Sequence, residues 1–321
     1  MKAEILNKLR AENGYISGEE LSRHLGVSRT AVWKNIKALR EEGYVIDSVT
    51  NKGYRLIEAP DRLEPRMILS GLDTLNVGKR IIALDKVDST NDEVKRRAAQ
   101  GEEGGLIIAA ENQTGGKGRF GRKWSSRGGG IYFTVLLRPD LPPNAIPSIT
   151  LAAGYGVCLA VREYTGLDAR IKWPNDIVIG RRKLCGILTE MAAQSDMLDY
   201  VAIGIGINVN HKDFPEELRD KATSLYIETG KKTDRNDFFR CVIKNLDKSI
   251  SSFLVGFSSD DANNFKELCV TIGRQVTINR AGGNISGTAY DITPAGELMV
   301  RTDDGTELAV NSGEVTVQGI Y

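Results

Sequence analysis

The sequence predicts a multidomain α+β fold with a helical N-terminal segment, a central region of mixed α and β structure, and a C-terminal region of short strands. Residues 1–60 carry apolar positions at helical spacing, residues 80–210 alternate between strand-like and helix-like runs, and residues 276–310 contain short strand-like runs. A chain of 321 residues is long enough for two or three domains. Proline and aspartate at 60–65 indicate a linker. We expect domains at 1–60, 66–267 and 268–321.

Composition restricts the classes of function. The net charge is +1, so a nucleic-acid site must come from local clustering of basic residues. The four cysteines form no CxxC pair and accompany only two histidines, which argues against a zinc site and favours reduced thiols. The N-terminus is charged and amphipathic, unlike a signal peptide, and no apolar run of the chain indicates a membrane span. We expect a cytoplasmic protein without membrane attachment.

The N-terminal segment has the spacing of a helix-turn-helix. Ser17 and Glu20 fit a capping box at the start of one helix, and Gly26 can end that helix in a left-handed conformation. Ser28 can cap the next helix, whose apolar residues recur every three or four positions across 32–39. The pattern predicts two helices joined by a tight turn.

A hairpin and a one-sided charge pattern extend this interpretation. Alternating runs at 44–49 and 53–57 predict two strands joined by a turn at 50–53, which would form the wing of a winged helix-turn-helix. Basic residues occur between Ser22 and Arg40 without any acidic residue. The alternative is a small helical bundle with a solvated basic face. The residues predicted to contact DNA are Arg23, Ser28, Arg29, Thr30, Lys34, Lys37, Lys52 and Arg55.

The central region alternates predicted strands and helices. The predicted strands are 80–87, 105–111, 131–138, 177–179, 184–190 and 200–209, and the predicted helices are 90–100 and 146–164. Thr90 and Glu93 fit a capping box for the first helix. Because several of the strands follow one another as hairpins, we expect a mixed sheet flanked by helices rather than a doubly wound sheet.

A glycine-rich basic stretch at 113–124 predicts an anion-binding loop. It contains four cations and no acid, and its glycines allow close approach of the backbone to a ligand. Gly116, Gly118 and Gly121 match GxGxxG, but the glycine run after Trp124 would break the helix that a dinucleotide fingerprint must open. No Gly-Lys-Ser/Thr ends the stretch, which excludes a Walker loop. The alternative is a mobile surface loop.

Three further motifs carry candidate chemistry. In the stretch 172–176, KWPND, Asp176 is a candidate Mg²⁺ ligand for nucleotide phosphates. In 182–186, RKLCG, Lys183 is a candidate for stabilising charge on a carboxyl group under attack. The alternative for both is a surface hairpin with an ordinary ion pair. The small residues of 204–210, GIGINVN, would open room for a ligand beside Asn208, or else form a tightly packed core strand.

In order along the chain, these motifs resemble those of the biotin–protein ligases, specifically the bifunctional biotin ligases that also repress the biotin operon. DSTN at 88–91, the loop 113–124, KWPND, RKLCGIL and GIGINVN each resemble a family signature, and TSL at 223–225 resembles a later one. The resemblance covers nearly the whole chain. It implies a class II synthetase-like ligase domain in the centre and an SH3-like β-barrel at the C-terminus, where the sequence predicts short strands at 276–278, 287–292, 297–301 and 307–310.

The resemblance also implies site residues. A biotin pocket is implied from Ser89, Thr90, Asn91, Gln113, Lys117, Gly118, Arg119 and Lys183, and adenylate contacts from Arg122, Trp124, Lys172, Asn175, Asp176 and Asn208. Arg119, Asp176 and Lys183 are the candidate catalytic residues, and Asp176 the candidate magnesium ligand. One departure is Lys117, which stands where the family loop often has arginine and so keeps the charge without the two-pronged geometry.

The implied function is a biotin–[acetyl-CoA carboxylase] ligase that uses ATP and Mg²⁺ to form biotinoyl-5′-AMP. It would transfer biotin to a lysine of a biotin carboxyl carrier protein. It would also act as a biotin-responsive repressor, dimerising on the adenylate and binding operator DNA. The absence of a Ser-His-Asp or Cys-His pattern agrees with direct attack by the acceptor amine. Two alternatives stay open, a lipoate–protein ligase-like enzyme and a biotin-sensing transcription factor without turnover.

Overall fold

The structure, a computed structural model, describes residues 1–12, 14–194, 196–255, 259–279, 283–293, 295–311 and 313–321. It divides into two compact units, Met1–Arg62 and Leu63–Tyr321. The predicted boundary near 60–66 coincides with this division. The further boundary at 268 stays a prediction, because the second unit continues through it.

The first unit contains three helices and a hairpin among its described residues. The elements are α1 (Lys2–Ala11), α2 (Gly18–Leu25), α3 (Arg29–Glu41), β1 (Val45–Val49) and β2 (Gly53–Glu58). Ser17 Oγ accepts the amide of Glu20 at 3.0 Å, and Ser28 Oγ accepts the amide of Ala31 at 3.2 Å, so both predicted caps form. Gly26 ends α2 with φ at 64°. The local sequence signals therefore set the helix-turn-helix.

The second unit is built on a mixed sheet with helices packed against it. Its helices are α4 (Pro65–Leu69), α5 (Thr90–Ala99), α6 (Ile146–Thr165), α7 (Leu225–Thr229), α8 (Arg235–Leu254) and α9 (Ser259–Leu268). The strands of the main sheet are β3 (Arg80–Val87), β4 (Leu106–Gln113), β5 (Ile131–Leu137), β6 (Ala169–Lys172), β7 (Asp176–Ile179), β8 (Arg182–Gln194) and β9 (Met197–Ile207). They lie in the order β3-β4-β5-β9-β8-β7-β6, with β3 and β4 parallel and the other neighbours antiparallel. The mixed sheet is as predicted.

One predicted cap is wrong by a residue. Ser89, not Thr90, caps α5 by accepting the amide of Asp92 at 3.5 Å. The Thr90 hydroxyl instead lies 3.0 Å from Oε1 of Gln113 and 2.8 Å from Oγ1 of Thr134. Tertiary partners on neighbouring strands thus engage the hydroxyl that the local pattern had assigned to the cap.

Helix α6 forms the centre of the apolar core together with α8 and the sheet. By length and hydropathy alone, the stretch Pro143–Thr165 could cross a membrane, but 61% of its most apolar window is buried inside the protein. Burial of this kind is typical of the core helix of a globular domain, whose apolar residues pack against other elements.

The C-terminal strands form a small antiparallel sheet. They are β10 (Gln275–Asn279), β11 (Ile285–Ile292), β12 (Leu298–Arg301), β13 (Glu307–Val310) and β14 (Glu314–Val317), in the order β13-β12-β11-β10-β14. The sheet is joined to the main domain through Trp173, whose indole Nε1 donates to the carbonyl of Gly296 at 3.0 Å. The residues after β14 also reach the KWPND turn, where the Tyr321 hydroxyl donates to Asp176.

Candidate functional site

A cavity of about 550 Å³ lies over the main sheet, and the residues that the sequence singled out share it. All the predicted biotin and adenylate residues are among those that line it: Ser89, Thr90, Asn91, Gln113, Lys117, Gly118, Arg119, Arg122, Trp124, Lys172, Asn175, Asp176, Lys183 and Asn208. They come from segments spread over more than a hundred positions of the chain. The assignment of each residue to biotin or to nucleotide stays a prediction.

A buried network of hydroxyl and amide groups forms one wall of the cavity. Gln113 Oε1 accepts the backbone amide of Thr90 at 2.7 Å, and Gln113 Nε2 donates to Ser126 Oγ at 2.7 Å. Thr134 Oγ1 donates to Asn91 Oδ1 at 2.6 Å, and Asn91 Nδ2 donates to a carboxylate oxygen of Glu190 at 2.8 Å. Because each of these groups is held by another, the DSTN segment is fixed before any ligand binds.

The glycines of the GIGINVN strand provide space for side chains of the protein itself. A Cβ added at Gly204 would lie 2.1 Å from Oδ1 of Asn91, and one added at Gly206 would lie 2.5 Å from Nε1 of Trp124. The sequence left two possibilities open at these positions, room for a ligand or a tightly packed core strand. The structure packs Asn91 and the Trp124 indole over the strand, and both glycines line the cavity together with those two side chains.

The glycine-rich loop presents cations at the cavity. Arg119 is half-buried and donates from Nη1 to Oδ1 of Asn175 at 3.1 Å. Phe120, the next residue, has φ at 56°, a left-handed conformation that is unusual for a bulky side chain. Lys117 Nζ lies 2.7 Å from the carboxylate of Asp92, and Arg122 pairs with Glu314. The loop is thus an irregular turn and not the start of a long helix.

A cluster of opposite charges lies at the KWPND and RKLCG motifs. Lys183 Nζ is 2.5 Å from Oδ1 of Asp176, and the Tyr321 hydroxyl donates to Oδ2 of the same carboxylate. Lys172 is buried, and its ammonium lies 3.5 Å from the centroid of the Tyr321 ring. Lys183 also lies 5.3 Å from the Trp124 ring centroid. These contacts place Lys172 and Lys183 around a single carboxylate.

Burial changes the acidity of two of these cations. It lowers the pKa of Lys172 to about 8, although Asp176 acts in the opposite direction, and the neighbouring cation Lys183 lowers it further. Burial also lowers the pKa of Arg119. A desolvated cation that lacks water to compensate it interacts strongly with an entering anion, so this region of the cavity favours phosphate or carboxylate groups.

Sequence reasoning missed several lining residues. Glu314 and Tyr321 come from the C-terminal sheet and the residues after it, and they line the cavity together with the motif residues. Ser126 and Thr134 hold the DSTN network but belong to no motif. None carried a local signal, because their role depends on contacts between segments that are distant in sequence.

The predicted DNA face of the first unit is exposed. All the predicted residues are exposed, namely Arg23, Ser28, Arg29, Thr30, Lys34, Lys37, Lys52 and Arg55. On α3, Val32, Ile36 and Leu39 are buried, so the basic side chains lie on the opposite face of that helix. Arg55 on the hairpin stacks over Tyr15 at 4.8 Å. The geometry leaves this face accessible to a large polyanion.

Comparison with known families agrees with this architecture. Residues 83–208 match the Biotin/lipoate A/B protein ligase family, residues 2–55 match an HTH domain, and residues 271–317 match the Biotin protein ligase C terminal domain. The structure also superposes on that of a biotin protein ligase from Aquifex aeolicus in complex with biotin and ATP, with a TM-score of 0.66 and 32% identity. That match covers 75% of this chain and 99% of the Aquifex chain.

Curated relatives extend over nearly the full length. The Bifunctional ligase/repressor BirA of Bacillus subtilis is 38% identical over 299 residues, covering 92% of this chain and 92% of the relative. The Escherichia coli BirA is 31% identical and covers 95% of this chain and 96% of the relative. The Biotin--[acetyl-CoA-carboxylase] ligase of Mycobacterium tuberculosis is 31% identical over 79% of this chain. From its N-terminal HTH domain to its C-terminal sheet, the chain belongs to the bifunctional ligase/repressor family of biotin protein ligases.

Proposed function

We propose that this chain is an ATP-dependent biotin–protein ligase and a biotin-responsive transcriptional repressor. It forms biotinoyl-5′-AMP and transfers biotin to a lysine of a biotin carboxyl carrier protein domain. One observation supports the ligase most: every residue that the family resemblance implies for the two ligands lines the same cavity. The relatives from Bacillus subtilis and Escherichia coli carry both activities in their names.

The chemistry requires activation of a poor acylating agent. A carboxylate oxygen of biotin attacks the α-phosphorus of ATP and expels pyrophosphate, which gives a mixed anhydride. The neutral amine of the acceptor lysine then attacks the carbonyl carbon, loses its proton, and AMP leaves with the electron pair of the broken C–O bond. No covalent nucleophile of the enzyme is needed. The free cysteines fit this view, because burial raises the pKa of the Cys185 thiol and keeps it protonated.

The cations of the cavity supply the electrostatic stabilisation. Arg119 and Lys172 are desolvated, so they interact strongly with phosphate oxygens. Lys183 stabilises charge on the biotin carboxyl group, and Trp124, beside it, covers the adenylate. The DSTN network and Gln113 fix the wall that receives biotin. The Lys117 side chain is paired with Asp92, so we propose that Lys117 contacts the ligand through its backbone and not through its ammonium group.

The proposed reaction also requires a magnesium ion bound to ATP. Among the residues that the structure describes, no group of three His, Cys, Asp or Glu side chains is placed to hold a metal ion. Mg²⁺ at nucleotide sites is commonly held by one or two carboxylates and the phosphates. Asp176 offers such a carboxylate, and a magnesium ion bound to it would displace Lys183 or Tyr321, which contact its two oxygens. We propose Asp176 as the protein ligand of a magnesium ion that enters with ATP and neutralises phosphate charge.

The N-terminal unit supports the repressor activity. Its basic helix face is exposed, and its hairpin provides further cations for the phosphate backbone. Helix-turn-helix proteins commonly bind operators as dimers, so we propose that the adenylate promotes a homodimer. Sedimentation velocity with and without biotin and ATP measures this directly. An unchanged monomer in both samples would contradict the dimer proposal and leave the ligase proposal intact.

The ligase is tested with radiolabelled biotin, ATP, Mg²⁺ and a biotin carrier domain. We expect pyrophosphate release and label on the carrier, and we expect Arg119→Ala to weaken transfer or to release adenylate into solution. Arg80→Ala is a matched control, because Arg80 is an exposed arginine away from the cavity. Activity with lipoate and none with biotin would overturn the proposal. Pyrophosphate release without transfer would restrict the chain to a sensor role.

A further inference from the structure

The backbone of Lys183 is hydrogen-bonded to a segment that lies outside the strands of the main sheet. Lys183 lies beside a register shift between β7 and β8, where the regular ladder is interrupted. The segment 221–223 supplies the missing partners. The Lys183 amide donates to the carbonyl of Lys221 at 2.7 Å, and the Thr223 amide donates to the carbonyl of Lys183 at 2.9 Å. A loop distant in sequence thus fixes the position of the candidate catalytic lysine.

We call the two backbone hydrogen bonds between Lys183 and the segment 221–223 the clamp. One carboxylate on α7, that of Glu228, links its two sides. Glu228 Oε1 accepts the Thr223 hydroxyl at 2.5 Å and the Arg182 guanidinium at 2.7 Å. Thr223 is the last residue of the clamping segment, and Arg182 precedes Lys183, so Glu228 joins the two hydrogen-bonded backbones. Glu228 is only 16% exposed and Thr223 is fully buried, so water competes little for these bonds.

We infer that Glu228 is a positioning residue for Lys183, and that the TSL motif contributes the Thr223 of this clamp. The inference rests on the proposed function, in which Lys183 Nζ contacts the biotin carboxylate. Loss of the Glu228 charge weakens its bonds to Arg182 and Thr223, so the backbone of Lys183 is held less firmly and its ammonium meets the carboxylate less well. Glu228 and Arg182 themselves need not touch either substrate.

The test separates positioning from general stability by using two ligands. Binding of biotin and of its alcohol analogue, in which a hydroxymethyl group replaces the carboxylate, is measured calorimetrically on the full chain. In Glu228→Gln we expect biotin to bind about tenfold more weakly, which is the order of one charge-assisted hydrogen bond. The analogue should bind as it does to the unsubstituted protein, because it lacks the charge that Lys183 meets.

Control variants make the outcome specific. Glu102→Gln removes a comparable half-buried carboxylate, paired with Arg80 at 2.9 Å, and should leave both ligands unaffected. Thr223→Val should reproduce the selective loss and Thr223→Ser should restore biotin binding. In a Lys183→Ala background, Glu228→Gln should cause no further loss.

Three results would count against these ideas, and they are distinguishable. If Glu228→Gln weakens both ligands equally, Glu228 is merely structural and the inference is wrong. The inference also fails if Glu228→Gln and Thr223→Val both keep the full preference for biotin over its analogue. If the unsubstituted protein binds neither biotin nor the analogue, the proposed function itself fails.

Discussion

Replacing Gly204 by alanine should disrupt the cavity wall that contains Asn91 and that we propose receives biotin. The added methyl carbon would lie 2.1 Å from Oδ1 and 2.9 Å from Cγ of Asn91, far inside van der Waals contact. Asn91 cannot move freely, because Thr134 donates to its Oδ1 at 2.6 Å and its Nδ2 donates to the Glu190 carboxylate at 2.8 Å. The amide must therefore leave its network or the strand must shift.

The loss in the free energy of unfolding can be estimated from these contacts. Each broken buried hydrogen bond costs about 1 kcal/mol net, and overpacking of a core position costs about 1–3 kcal/mol. We expect Gly204→Ala to lower the free energy of unfolding by about 4 kcal/mol, a large share of the roughly 5–15 kcal/mol of a typical domain. Biotin binding should fall as well, because the displaced Asn91 belongs to the wall.

Urea unfolding followed by circular dichroism measures the first effect, and calorimetry with biotin measures the second. Gly154→Ala is the control, because its Cβ would meet only Ile187 at 3.7 Å, an ordinary contact. The double variant Asn91→Ala with Gly204→Ala should be no less stable than Asn91→Ala alone, because the clash is gone. If Gly204→Ala unfolds within about 0.5 kcal/mol of the unsubstituted protein and binds biotin normally, the steric reasoning is refuted.

Three further predictions concern charge. Burial lowers the pKa of Lys172 to about 8, so the cation is lost as pH rises through that value, and ATP affinity should weaken above pH 8. Lys172→Arg should remove this pH dependence, since arginine stays protonated, and a dependence that persists would assign the titration to another group. Asp176→Asn should raise the Mg²⁺ concentration needed for half-maximal pyrophosphate release at least tenfold, and an unchanged requirement would reject Asp176 as a ligand. Lys52→Ala on the wing should reduce the slope of log K against log salt for operator DNA by about 0.9, whereas the exposed lysine variant Lys86→Ala should leave the slope unchanged. Equal slopes in all three proteins would remove Lys52 from the DNA contact.

Local signals in the sequence were enough for the N-terminal unit. Ser17 and Ser28 cap the helices that follow them, and Gly26 ends α2, because a cap is satisfied by amides two or three residues away. The basic residues of α3 could be assigned to one face, since helical periodicity relates position to direction. Local sequence therefore predicts the helices of this unit, their caps and the basic face of α3.

Long-range packing decided the parts of the site that lay outside the motifs. The N-cap of α5 is Ser89 and not the predicted Thr90, because a strand residue, Gln113, engages the threonine hydroxyl. The sequence left open whether Gly204 and Gly206 make room for a ligand or belong to a packed core strand, and only the fold showed which side chains lie over them.

The sequence by itself determined the helices and hairpin of the N-terminal unit, most strands of the main sheet and the basic loop, because motif and periodicity are properties of neighbouring positions. The resemblance of its motifs to a known family identified part of the cavity lining, and it missed α8, β6 and the lining residues Glu314 and Tyr321. Only the tertiary structure brought Tyr321 to Asp176 and Glu228 to Arg182, the residue before Lys183. The physical reason is that these contacts join residues tens to more than a hundred positions apart. A hydrogen bond across such a distance depends on how the whole sheet and its loops pack, and no local pattern records it.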